Sequence, residues 1–146
     1  GNTARGLHVY ERFDTRVAIL KLFPGITEAV VAALLDIPNL HGVVLETFGS
    51  CNAPTHEWLY EHLRSAVDRG VVIVNKTQCN TGSVSMGQYA VSINLLKAGV
   101  ISGYDITTEA LLTKMMHVLG EYGDNLEKVK KMLSVSLCGE MTVGSV

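Results

Sequence analysis

The sequence has 146 residues, 47% apolar and 18% charged, with 12 basic side chains against 14 acidic ones and a net charge of −2. That size builds one domain with its own core, and that composition excludes a disordered chain. The basic residues are scattered except for Lys128, Lys130 and Lys131, so the charge argues against a nucleic-acid surface, and this cluster reads as the solvated face of a helix.

Residues 1–8 read as a linker or cloning scar, and 9–146 as a single α/β domain. LHVYERF (Leu7–Phe13) alternates like an edge strand with one wet side, or else continues the linker. VAILKL (Val17–Leu22) is rich in strand formers and stops at Pro24-Gly25. TEAVVAALLDI follows with helical spacing of Val30, Val31, Leu34 and Leu35, capped by Thr27 and closed by Pro38 and Asn39. GVVLET (Gly42–Thr47) is the second strand. The next helix carries Leu59, Leu63, Ala66 and Val67 on one face, with Thr55 as its N-cap, Trp58 as its third residue and Gly70 at its C-terminal cap.

VVIVN (Val71–Asn75) is apolar throughout and makes the third strand. QYAVSINLLKAG is helical and ends at Gly99, and VISGYD gives a short fourth strand. A helix over Thr107–Leu119 is capped by Thr107 and striped by Leu111, Leu112, Met115 and Val118; a last helix spans Leu126–Leu133. Continuous apolar strands separated by helices predict a small three-layer, Rossmann-like α/β domain with about four parallel strands.

No apolar run reaches the ~20 residues of a membrane span, and the start lacks the apolar core of a signal peptide. Cys51, Cys79 and Cys138 are odd in number and form no CxxC pair, which fits reduced thiols in a cytoplasmic protein.

Ligands of open parallel sheets gather outside the carboxyl ends of the strands. Three connections leave those ends: Phe23–Ile26, Phe48–Pro54 and Thr77–Gly87, the last two rich in Ser, Thr, Asn, Gln and Gly. Gly49 permits close backbone approach, and Asn52 either offers a donor and an acceptor to a ligand or closes an Asx-turn. No phosphate loop, GxGxxG or HExxH pattern exists, so neither a nucleotide cofactor nor a metal is expected. Cys51 lies near His56 without a third orienting group and reads as a small neutral filler. Asp105 reads as a helix cap or a site acid, and His8, His41, His62 and His117 are scattered on surfaces. Met115, Met116 and Met132 fill core. No complete acid–base or nucleophile set is present.

VAILKLFPGI, GVVLETFGSCNAP, DRGVVIVNKTQCNTGSV and ISGYDITTEALLTKMMHVLG, with the terminal CGEMT, together resemble the C-terminal domain of type I (cytoplasmic) L-asparaginases. The likeness runs from about Val9 to Thr142, and GNTARGL has no counterpart in it. The resemblance implies a two-domain amidohydrolase that converts L-asparagine to aspartate and ammonia without a cofactor. It places the threonine nucleophile, a Thr-Asp-Lys set and a TGGT motif in a larger N-terminal domain. Neither TGGT nor HGTDT occurs here, so the resemblance implies no catalytic residue in this chain and a dependence on that domain.

The resemblance further implies a homodimer or tetramer with sites at subunit interfaces, and no nucleic-acid or membrane partner. It makes Gly49, Ser50, Asn52, Thr77, Gln78 and Cys79 the substrate- or effector-binding candidates. A basic effector contact of some relatives falls at Glu46, whose charge would repel a ligand carboxylate unless it is protonated or turned away. Two other readings stay open: an asparaginase-like subunit of a tRNA-dependent amidotransferase, and a non-catalytic amino-acid-binding or assembly module.

Overall fold

The structure, a computed structural model, describes residues 13–47, 56–76, 86–103 and 106–134, without the side chains of 47 and 86–90. Four strands, β1 (Val17–Leu22), β2 (Gly42–Thr47), β3 (Val72–Lys76) and β4 (Ile101–Ser102), form one parallel sheet in the order β1-β2-β3-β4. Helices α1 (Glu28–Leu35), α2 (Glu57–Asp68) and α3 (Met86–Lys97) connect them in turn. Helix α4 (Thr108–Tyr122) and a last helix, α5 (126–134), follow β4.

Strand side chains alternate between faces, and each face has its own apolar layer. Leu20, Leu22, Val43, Leu45, Val71 and Ile73 pack with Val31 and Leu35 of α1, Leu59, Leu63 and Ala66 of α2, and Val91 and Leu95 of α3. Val44, Val72 and Val74 point the other way, against Leu111, Met115, Val118 and Leu119 of α4 and Val129 and Leu133 of α5. Crossovers that each step one strand in the same direction must put their helices on one face, given right-handed connections. The opposite face is then left for α4 and α5, and β2 and β3 read as continuous apolar runs because both their faces are covered.

The helix ends follow from particular residues. Thr27 and Thr107 accept hydrogen bonds from the N–H groups of Val30 and Ala110, capping α1 and α4. Helix α2 closes in a Schellman motif: Gly70 N–H donates to Val67 O at 2.9 Å and Val71 N–H to Ala66 O at 3.0 Å, with Gly70 at φ +102°. Helix α3 repeats it around Gly99, at φ +93°. Each motif turns the chain directly into the next strand.

Several expectations shift. Val30 is 49% exposed, so α1 buries Val31 and Leu35 rather than a stripe that includes Val30. The N-cap of α2 is His56, whose φ of −79° and ψ of 130° are extended, in place of Thr55, and Trp58 becomes the second helical residue. His56 makes no side-chain cap, but its ring stacks on Trp58 at 5.3 Å. The third strand starts at Val72 and reaches Lys76, and β4 pairs over only Ile101–Ser102. Helix α4 runs on to Tyr122 because its buried row continues through Leu119. Phe13 joins no strand, while residues 7–12 lie outside the described residues.

Gly99 and Gly25 both hold left-handed backbone, but an added Cβ would meet Val67 Cγ1 at 2.8 Å at Gly99 and nothing within 4 Å at Gly25. Gly25→Ala should cost about 1 kcal/mol from backbone strain alone. Gly99→Ala should cost about 1–3 kcal/mol more, from overpacking. Urea unfolding of both variants checks the order; equal losses would contradict it.

Candidate functional site

The carboxyl ends of β1, β2 and β3 lie side by side, and each carries one charged side chain beneath its end. The register sets Glu46 beside Lys21 on one neighbour and Lys76 on the other. Glu46 is only 3% exposed. Thr108, the first residue of α4, donates its hydroxyl to Glu46 Oε1 and accepts from Lys76 Nζ at 3.1 Å. Lys21 Nζ stands 3.9 Å from Glu46 Oε2 and is largely exposed. The helix N-terminus adds partial positive charge here. Glu46 is thus turned onto the sheet and α4, with its charge opposed by two lysines.

Gly49, Ser50, Asn52, Thr77, Gln78 and Cys79 all lie outside the described residues, as do Cys51, Thr55, Asp105, His8 and Cys138. The described strand ends show where the two candidate loops depart: directly after β2 and directly after β3, which are neighbours in the sheet. The loop roots are therefore adjacent, as a shared site requires. Among the described residues the strand order contains no reversal, however. In open parallel sheets a ligand crevice forms where the order reverses, and the described strands offer no such point.

Of the histidines, His117 is exposed, and His41 and His62 are part-buried in pairs that sequence spacing did not reveal. His62 Nε2 lies 2.9 Å from Glu28 Oε2, joining α2 to α1. His41 Nδ1 lies 2.5 Å from Asp14 Oδ2, at the amino ends of the strands. Asp14 also accepts from the Arg16 backbone N–H and from Arg16 Nε, both at 3.0 Å, and its own N–H donates to Met116 O of α4. This group borders a cavity of about 700 Å³ with Arg69, Glu121 and Asp124 on its rim, at the end of the sheet opposite Glu46. Among the described residues no cluster of three or more His, Cys, Asp or Glu side chains could hold a metal. Nor is any described helix long and apolar enough to cross a membrane.

Residues 16–133 match the model of the glutaminase/asparaginase C-terminal domain. The chain belongs to that family. It is 48% identical to the human 60 kDa lysophospholipase over 97% of its own length and 24% of the relative's. To L-asparaginase 1 of Escherichia coli K12 it is 40% identical, over 86% of this chain and 37% of the relative. To a subunit of the glutamyl-tRNA(Gln) amidotransferase of Pyrococcus abyssi it is 34% identical, over 93% of this chain and 30% of the relative. The crystal structure of L-asparaginase I from Vibrio cholerae superposes with a TM-score of 0.66 at 40% identity, covering 81% of this chain and 35% of that one. The chain thus spans roughly a quarter to a third of its relatives, and the α/β fold expected from the sequence is the fold of this asparaginase-family domain.

Sequence reasoning reached the β2 and β3 loop roots but ended the third strand before Lys76 and left Lys21 aside. The signal was present: VAILKL, GVVLET and VIVNK each hold a single charged residue at or next to the carboxyl end of an apolar strand.

Burial pushes the Asp14 carboxyl up, but hydrogen bonds from the Arg16 backbone, His41 and the Arg16 side chain outweigh it and hold it below the ordinary 3.8. A carboxyl lowered on folding contributes stability above its unfolded value and loses it as pH falls through the folded one. The stability gap between wild type and Asp14→Asn should therefore be widest above pH 3.8 and narrow below it. Urea titrations from pH 6 to pH 2 check this, and a gap independent of pH would contradict it.

Proposed function

We propose that this chain is the C-terminal domain of an amidohydrolase that converts L-asparagine to aspartate and ammonia. The observation that carries the reading is the family membership over residues 16–133, joined to 40% identity with two named L-asparaginases. The adjacent roots of the loops after β2 and β3 fit a domain that completes a site built elsewhere. In this reading the loops after β2 and β3 orient the substrate and exclude water, with Gly49, Ser50, Asn52, Thr77, Gln78 and Cys79 as the contacts to test. The nucleophile belongs to the remaining part of the protein, which the length of the relatives leaves room for. Orientation by such loops is a substantial share of a catalytic barrier. The protein works in the cytoplasm as a homo-oligomer.

A second reading has its own support. The 48% identical human relative is named a lysophospholipase, so hydrolysis of a lysophospholipid ester by the same whole protein is the competing activity. Both reactions attack an acyl carbon and need the same oxyanion stabilisation, and they differ in leaving group and in the bulk beside the carbonyl. The compact polar residue types of the candidate loops favour a small amide over an acyl chain.

The test is a direct competition on the full-length protein carrying this domain. Ammonia release from asparagine should exceed fatty-acid release from a lysophosphatidylcholine by at least ~100-fold in kcat/KM, about 2.7 kcal/mol of transition-state preference. The reverse order would replace the first reading with the second.

A further inference from the structure

The charged row at the carboxyl edge is wired in one direction only. An ammonium can only donate and an unprotonated carboxylate can only accept. The Thr108 hydroxyl, placed between Lys76 Nζ and Glu46 Oε1, must therefore take from the first and give to the second. Glu46 is nearly fully buried, and a buried carboxylate needs such partners. Lys21, 61% exposed at 3.9 Å, holds it weakly. The holding contact is the relay Lys76–Thr108–Glu46.

The relay joins places that are far apart in the chain: the end of β3, the first residue of α4, and the second-last residue of β2. The rest of α4 covers the sheet with an apolar stripe of Leu111, Met115, Val118 and Leu119, a non-directional contact, and Met116 O accepts from Asp14 N–H near the opposite end of the strands. The directional relay at its first residue fixes the end of the helix nearest the carboxyl edge.

We propose that Glu46, Thr108 and Lys76 are positioning residues, which lock the ends of β2 and β3 to the start of α4 and so set the aim of the chain segments leaving that edge toward substrate. The consequence for substrate rests on the amidohydrolase reading above; the lock itself does not. The geometry separates two variants cleanly. Thr108→Val keeps the shape and removes both hydrogen bonds, whereas Thr108→Ser keeps both.

The experiment uses the full-length protein with wild type, Thr108→Val and Thr108→Ser. Steady-state kinetics on asparagine and hydrogen exchange at Leu45–Glu46, Asn75–Lys76 and the first turn of α4 are read together. For Thr108→Val, kcat/KM on asparagine should fall by about 10-fold or more, as expected when substrate is no longer held in line with the reacting groups. Exchange should rise at all three places together, and Thr108→Ser should return both readouts to wild-type values. A Thr108→Val protein with unchanged kcat/KM, or a Thr108→Ser protein that fails to restore it, overturns the positioning role. If the wild type releases no ammonia from asparagine, the amidohydrolase reading fails, and exchange alone then judges the lock. A rise at all three places that Thr108→Ser reverses supports it, and exchange unchanged or changed only within α4 overturns it.

Discussion

The one-way winding of the sheet is the constraint on which the rest depends. Each crossover steps to the next strand in the same sense, so α1, α2 and α3 must share a face. That leaves β2 and β3 half-covered until α4 returns across the other side with Leu111, Met115, Val118 and Leu119. The sheet can then bury valine and leucine on both faces. The same winding gives the described sheet no switch point, because its strand order does not reverse.

Charge sits only where that packing ends. Val44, Val72 and Val74 are buried beneath α4, and the next residues along the same face are Glu46 and Lys76. Placing a carboxylate there would be costly if it stood alone, but two lysines, a hydroxyl and a helix N-terminus surround it. At the other end of the strands Asp14 does comparable work, tying the entry of β1 to His41 before β2 and to Met116 on α4. Helix α4 is therefore fixed by polar contacts near both ends of the sheet and by apolar contacts between them.

Much of this was legible in the chain because it is local. VAILKL and GVVLET bound their strands residue for residue, since short apolar runs between turn residues have few other options. Thr27 and Thr107 cap helices, and Gly70 and Gly99 end them, for reasons confined to a few neighbouring residues. What stayed hidden is what depends on long-range pairing. Asp14 meets His41 across 27 residues, and Thr108 meets Glu46 across 62, and no spacing rule couples such positions. The phase of α1 misled because Val30 and Val31 are equally apolar, and only the position of β1 decides which one faces in. For Glu46, sequence comparison stressed the reversal of charge, whereas the fold turns its carboxylate inward to α4.

In the proposed reading, this domain shapes a substrate site but does not perform the chemistry in it. The most direct test is ammonia release from asparagine by the 146-residue chain alone, once circular dichroism shows it folded. Background release is the expected result if, as proposed, the nucleophile lies in the rest of the protein. Sustained turnover by this chain would contradict that view and place the chemistry within these residues.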